Sequence, residues 1–250
     1  MPSGGVALFI LLSFAAAYVQ TLTGFAFGLL LMGAIALTGL IPLPDAAVII
    51  GFLTLANAVV VLAKGWRAIA LMPFLLSLLG AIPLIVVGYV LLNLMASSSL
   101  VALRLVLGLV IIMSSLQLIL RPAARGSLSS KPSFVFFGAL GGLMGGLFST
   151  AGPPLVYHFY RQPLSHAAIR ETLVAVFAIN AMFRLVLVTA SGEWPALAST
   201  WALAGLPGVL VASYAARRWP PQLSQNTMRR LAFVLLLMSG LSLVVPVIAG

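Results

Sequence analysis

The chain has 250 residues, of which 62% are hydrophobic and only 6% charged, with a mean hydropathy of +1.21. Soluble domains carry roughly 25% charged residues, so this composition describes an integral membrane protein. The net charge of +10 does not make it a nucleic-acid binder, because the 13 Lys and Arg stand singly or in pairs between apolar runs, without a stripe or aromatic interleaving.

Zero cysteine excludes disulfides, thiolate metal sites and thiol relays. The first twenty residues lack a positively charged n-region and read as a retained helix, although Ala15-Ala16-Ala17 superficially resembles a cleavage site. Apolar runs follow at about 4–41, 46–63, 68–92, 99–120, 133–160, 171–190, 196–216 and 231–249. Most have the ~20 residues a span requires. The first run is nearly twice the length that crosses a ~30 Å hydrocarbon core, and 133–160 is also too long for an untilted span.

These two long runs contain breaks. The first is Gln20-Thr21-Leu22-Thr23-Gly24-Phe25-Ala26-Phe27-Gly28, the second Gly145-Gly146-Leu147-Phe148-Ser149-Thr150-Ala151-Gly152-Pro153-Pro154. In a bilayer, a broken helix leaves N–H groups that protein, water or a ligand must satisfy. Paired breaks in two halves point to a transporter binding site.

If each broken run goes in and returns while the other six cross once, one face receives Lys64, Arg67, Arg121, Arg125, Lys131, Arg161, Arg170, Arg217, Arg218, Arg229 and Arg230. The opposite face receives both termini, Asp45, the stretch Asn93–Ser98 and Glu193. The positive-inside rule makes the first face cytoplasmic. The halves also match. Pro42-Leu43-Pro44-Asp45-Ala46-Ala47 aligns with Pro163-Leu164-Ser165-His166-Ala167-Ala168, and Asn57 with Asn180. Leu22-x-Gly24-x-x-Phe27 falls on Leu143-x-Gly145-x-x-Phe148, an offset of 121 that drifts to 125 near the ends.

The expected fold is therefore all-α and polytopic. Two inverted-topology repeats, 1–120 and 133–250, each hold a broken or re-entrant element plus three transmembrane helices, joined by a cytoplasmic linker at 121–132 into one membrane domain.

At Thr23-Gly24-Phe25-Ala26-Phe27-Gly28 and Phe148-Ser149-Thr150-Ala151-Gly152-Pro153-Pro154-Leu155, the chain resembles the sulfite exporter TauE/SafE family of membrane permeases. The two-half layout extends the resemblance over essentially the whole chain. The family pattern of a glycine run followed by proline is altered in both halves: Phe25, Ala26 and Phe27 fill part of the first run, and a single Gly152 precedes Pro153-Pro154. The resemblance implies transport of sulfite, organosulfonates or related sulfur oxyanions, usually as export across a prokaryotic plasma membrane.

The breaks themselves suit an anion. Ser149 and Thr150 are favourable N-cap residues, Pro153 or Pro154 fits a first helical turn, and Thr21 and Thr23 suit a cap for the helix resumed at Gly24. A helix N-terminus offers free N–H donors and about half a positive charge. Gly24, Gly28 and Gly152 let a ligand approach the backbone, while Gly141 and Gly142 read as helix packing. Arg184 lies inside the 171–190 run on the face of Asn180, where it either binds an oxyanion or snorkels to the surface. Asn57 and Asn180 serve either substrate or helix association, and Gln20 serves either the first break's backbone or substrate. Arg104 reads as snorkelling, His158 as an interface residue, His166 as a loop residue and Glu171 as a charge at a cytoplasmic helix start.

The candidate substrate site is thus Gln20, Thr23, Gly24, Gly28, Asn57, Ser149, Thr150, Gly152, Asn180 and Arg184. No nucleophile–base pair, metal cluster or nucleotide loop is visible, so an enzyme is not expected and no cofactor or metal is called for. The expected function is a secondary transporter exporting sulfite or a related anion, with a small anionic substrate and the lipid bilayer as partners. Uptake of a sulfonate, a non-transporting membrane subunit and a homo-oligomer stay open.

Overall fold

The computed structural model describes residues 3–119, 126–150, 152–220, 234 and 236–245. All regular structure among them is helical, as a bilayer requires of a chain that must satisfy its own backbone. Among the described residues six helices are long and apolar enough to cross a membrane: α1 (Ser3–Thr23), α3 (Leu43–Gly65), α4 (Leu71–Ser98), α6 (Lys131–Phe148), α8 (His166–Ala190) and α9 (Ala198–Arg218). Two shorter helices, α2 (Phe27–Thr38) and α7 (Pro153–Tyr160), resume after the breaks. Helices α5 (Leu100–Ile119) and α10 (Leu236–Val245) complete the described set. Arg121, Arg125, Arg229 and Arg230 lie outside the described residues.

Two expected loops are helical. The stretch Asn93–Ser98 continues α4, leaving only Ser99 before α5. Nothing there stops a helix: the Ser97 and Ser98 hydroxyls donate back to the Leu94 carbonyl at 3.0 and 2.6 Å, and Ser99 Oγ accepts from the Ala102 N–H. His166 opens α8, because Ser165 caps the helix by accepting from the Ala168 N–H at 3.2 Å.

Hydrophobic side chains cover the outside as well as the inside. Leu11, Val59, Leu75, Phe136, Val186 and Leu203 are exposed on different helices, as lipid-facing residues are. The interior is set by small residues. Helix α4 lies along α6 with Gly80 against the Val135 carbonyl, Gly138 against Ser77, Gly142 against Ala81 and Gly146 against Ile85 and Gly88. A Cβ at any of these glycines would overlap backbone, which is the close approach that drives helix association in lipid. Helix α1 packs on α9, where Gly205 faces Phe9 and Gly208 faces Ile10. Helices α3 and α8 cross between these two pairs, with Gly51 against Leu185.

Candidate functional site

The first break spans Gly24 to Ala26, and its side chains are hydrogen-bonded. Gly24 ends α1 in a left-handed conformation (φ 82°), donating its N–H to the Gln20 carbonyl at 2.6 Å. Ala26 precedes α2, also left-handed (φ 85°), a conformation an L-residue adopts at a cost of about 1–3 kcal/mol. The expected threonine caps are absent. Thr21 donates to the Ala17 carbonyl, and Thr23 is within bonding distance of the Val19 and Phe25 carbonyls. The cap comes from Gln20, whose Oε1 accepts from the Phe27 N–H at 3.1 Å. Gln20 Nε2 then donates to Asn57 Oδ1 (3.0 Å), and Asn57 Nδ2 donates to Thr21 Oγ (2.9 Å) and Ser213 Oγ (2.7 Å). Four helices are tied by one buried chain in which each amide has partners.

The second break has the same outline and different chemistry. Ser149 ends α6 in the left-handed region (φ 53°) and donates its N–H to the Gly145 carbonyl at 2.9 Å. It is therefore the C-cap of α6 and not the N-cap of α7, and its hydroxyl donates to the Ala47 carbonyl. Gly152 occupies the N-cap of α7 with no side-chain bond, followed by Pro153 and Pro154 in the first turn. A Cβ on Gly152 would collide with the Met144 thioether.

The two left-handed helix ends, Gly24 and Ser149, lie 125 residues apart, so Gln20 corresponds in place to Gly145 and not to Gly141 as the motif offset of 121 pairs them. Helix ends follow hydrogen bonding rather than glycine spelling, and the motif match cannot see that. Where Gln20 meets Asn57, Gly145 faces Asn180, at 3.6 Å from a built Cβ to Nδ2. Asn180 is 4% exposed, and neither its Nδ2 nor its Oδ1 has a partner.

One turn further along α8, Arg184 is 1% exposed, so it does not snorkel. Its Nε donates to the Gly146 carbonyl at 3.0 Å, its guanidinium carbon lies 5.8 Å from the Tyr89 ring centroid, and its Nη1 has no partner. Buried polar groups without partners are uncommon and call for an explanation. Arg184 also lines a cavity of about 110 Å³ with Pro44, Asp45, Tyr89, Asn93 and Glu193. Across this cavity Tyr89 and Asn93 donate to Glu193 Oε2 at 2.5 and 2.8 Å.

The breaks meet. A Cβ at Gly28 would lie 2.8 Å from Thr150 Cβ and 3.1 Å from the Ser149 carbonyl oxygen. Tyr160, at the end of α7, donates its hydroxyl to the Thr23 carbonyl at 2.7 Å. Gly24, Gly28, Ser149 and Thr150 thus belong to one contact region. Gln20, Thr23 and Asn57 form its satisfied side, and Asn180 and Arg184 its unsatisfied side.

Two residues read as peripheral are buried. His158 (4% exposed) stacks on Phe137 at 4.4 Å between centroids and meets Phe134 edge-on, so it is covered by protein at whatever depth it lies. Glu171 (1% exposed) sits beneath Arg170 and Arg217 against Gly65. A carboxylate beside a basic residue at a helix start gives no hint of burial, because the covering residues come from α3 and α9. Arg104, by contrast, is exposed, as a snorkelling arginine would be.

Among the described residues no group of three His, Cys, Asp or Glu could hold a metal. A polytopic helical bundle with two interrupted helices touching in its interior is a membrane permease. Residues 9–243 match the model of the sulfite exporter TauE/SafE family. The chain is also 36% identical over 241 residues to the probable sulfite/organosulfonate exporter TauE of Cupriavidus necator, covering 94% of this chain and 92% of that one. It belongs to the sulfite exporter TauE/SafE family, whose members are permeases and not enzymes. No solved structure matches it.

Proposed function

We propose that this protein exports sulfite or a related organosulfonate across a prokaryotic plasma membrane, by alternating access around the two breaks. The observation that carries this reading is the unpartnered pair of donors, Arg184 Nη1 and Asn180 Nδ2, buried on one helix face beside the meeting of the breaks. A guanidinium and an amide match the oxygens of a small oxyanion. The resumed helices add little to this, because Pro153 and Pro154 at the start of α7 carry no N–H and Gln20 already takes the Phe27 N–H of α2. The name of the Cupriavidus necator relative, a probable sulfite/organosulfonate exporter, agrees with this chemistry.

Inverted repeats are supported by reciprocal packing: α1 on α9 and α6 on α4, with α3 against α8 between them. Sidedness is supported by which ends cluster. Glu171 contacts Gly65 and Arg217 bonds the Val61 carbonyl, gathering the end of α3, the start of α8 and the end of α9. Tyr89 and Asn93 join Glu193 at the other ends of α4 and α8. The basic end faces the cytoplasm by the positive-inside rule, with both termini outside.

An anion leaving a negative interior gains about 2.3 kcal/mol per charge per 100 mV, so export requires no proton relay. Proteoliposomes loaded with labelled sulfite or sulfonates, under an imposed potential, test the reading. Efflux is expected to rise as the interior becomes more negative. Flux indifferent to both potential and anion type overturns it.

A further inference from the structure

Buried arginine–carboxylate clusters hold a fold together or hold a place for something else, and the cluster at the basic end of this bundle has features of the second kind. Glu171 Oε1 takes both cationic neighbours, Arg170 Nη2 at 2.8 Å and Arg217 Nη1 at 3.8 Å, while Oε2 has no partner. Arg170 Nε is also unpartnered. The pairing is thus one-sided, whereas an arginine fork engages a carboxylate best through two parallel bonds.

Exposure is uneven in a telling direction. The Arg170 and Arg217 side chains are 34% and 28% exposed, but Glu171 only 1%. An anion arriving from this end meets the guanidinium groups before the carboxylate. The carboxylate rests in space that only glycine leaves, because a Cβ on Gly65 would overlap its Cδ and both oxygens. Arg170 in turn lies against the first break: a Cβ on Gly24 would stand 3.0 Å from both Cα and Cγ of Arg170.

We infer that Arg170 and Arg217 form a first-contact site for the oxyanion at the basic face, with Glu171 as the internal carboxylate that occupies it until substrate arrives. A sulfite or sulfonate group has the charge and oxygen spacing to replace Oε1 on both guanidiniums. Arg170 Cα and Cγ border Gly24, which places this site beside the first break. This inference rests on the transport reading above and adds a second anion site at the basic end, distinct from Arg184.

The test is sided transport in vesicles of defined orientation, with sulfite presented in turn to the basic and to the opposite face. Arg170→Ala and Arg217→Ala are each expected to raise KM at the basic face about tenfold or more, with KM at the opposite face unchanged, as loss of a charged hydrogen bond predicts. Glu171→Gln, which removes the competing charge and keeps the shape, is expected to lower KM at the basic face about threefold or more. Arg170→Lys and Arg217→Lys keep the charge without the fork and should fall between wild type and alanine, which covers failure of any one variant to fold. Equal KM changes at both faces, or alanine variants within twofold of wild type at the basic face, overturn the site. Absence of wild-type flux overturns the transport reading instead.

Discussion

The two breaks share an outline and differ in how their polar groups are spent. In the first, Gln20 reaches across to Asn57 and caps the Phe27 N–H, and Asn57 is consumed by Gln20, Thr21 and Ser213. In the second, the place of Gln20 is held by Gly145, and Asn180 and Arg184 keep free hydrogen-bonding atoms in a buried setting. A satisfied network rigidifies, and an unsatisfied one costs free energy that only a bound partner recovers. On the proposed reading the first break gives support and the second holds the anion.

The sharpest way to break this comparison is to write the first half's device into the second. Gly145→Gln has room for its Cβ, gains helix propensity and offers Asn180 the partner that Gln20 gives Asn57. Sulfite transport should fall to background while thermal stability holds or rises by up to about 1 kcal/mol. An active Gly145→Gln protein would refute the functional assignment of the second break.

Next in size is Arg184→Lys. It retains charge but loses the planar fork, and flux is expected to drop about a hundredfold in reconstituted vesicles, with helix content by circular dichroism unchanged. The paired substitutions Asn57→Leu and Asn180→Leu then compare the halves directly. Removing Asn57 orphans Gln20 and Ser213 contacts and should cost about 2–4 kcal/mol, read from denaturation in detergent. Removing Asn180 should cost at most about 1 kcal/mol and still reduce transport. Equal destabilisation by both would erase the distinction. The smallest effect is expected for Ser149→Ala, which loses one hydroxyl bond to Ala47, about 1 kcal/mol, with flux changed less than about threefold.

Much of the fold could be read from the chain because a bilayer leaves few options: apolar length sets the spans, and glycine with proline marks the interruptions. Among the described residues the helices and both breaks fall within 4–41, 46–63, 133–160 and their neighbours, give or take a few residues at their ends. What could not be read is pairing at a distance. Thr21 and Thr23 have the chemistry of caps, yet Gln20 supplies the cap, because only a longer side chain reaches the Phe27 N–H past the turn. Gly145 reads only as part of the second break and of the repeat motif, and its place opposite Asn180 depends on a residue brought in from another helix. Glu171 reads as a charge at a helix start, and its burial depends on Gly65 and Arg217. Arg184 is the intermediate case: its depth in an apolar run flagged it, and its burial decided between binding and snorkelling.

The glycine seam between α4 and α6 has a mechanical consequence. From Ser77 beside Gly138 to Gly88 beside Gly146, backbone rests on backbone with no side chains between. Sliding one helix along the other by part of a residue drives carbonyl oxygens into Cα atoms, and no rotamer change can absorb it. The two helices therefore behave as one stiff bar. Tyr89, which faces Arg184 and Glu193, and Ser149, which opens the second break, are fixed to the same bar. A relative motion of the helices during transport would carry the two together.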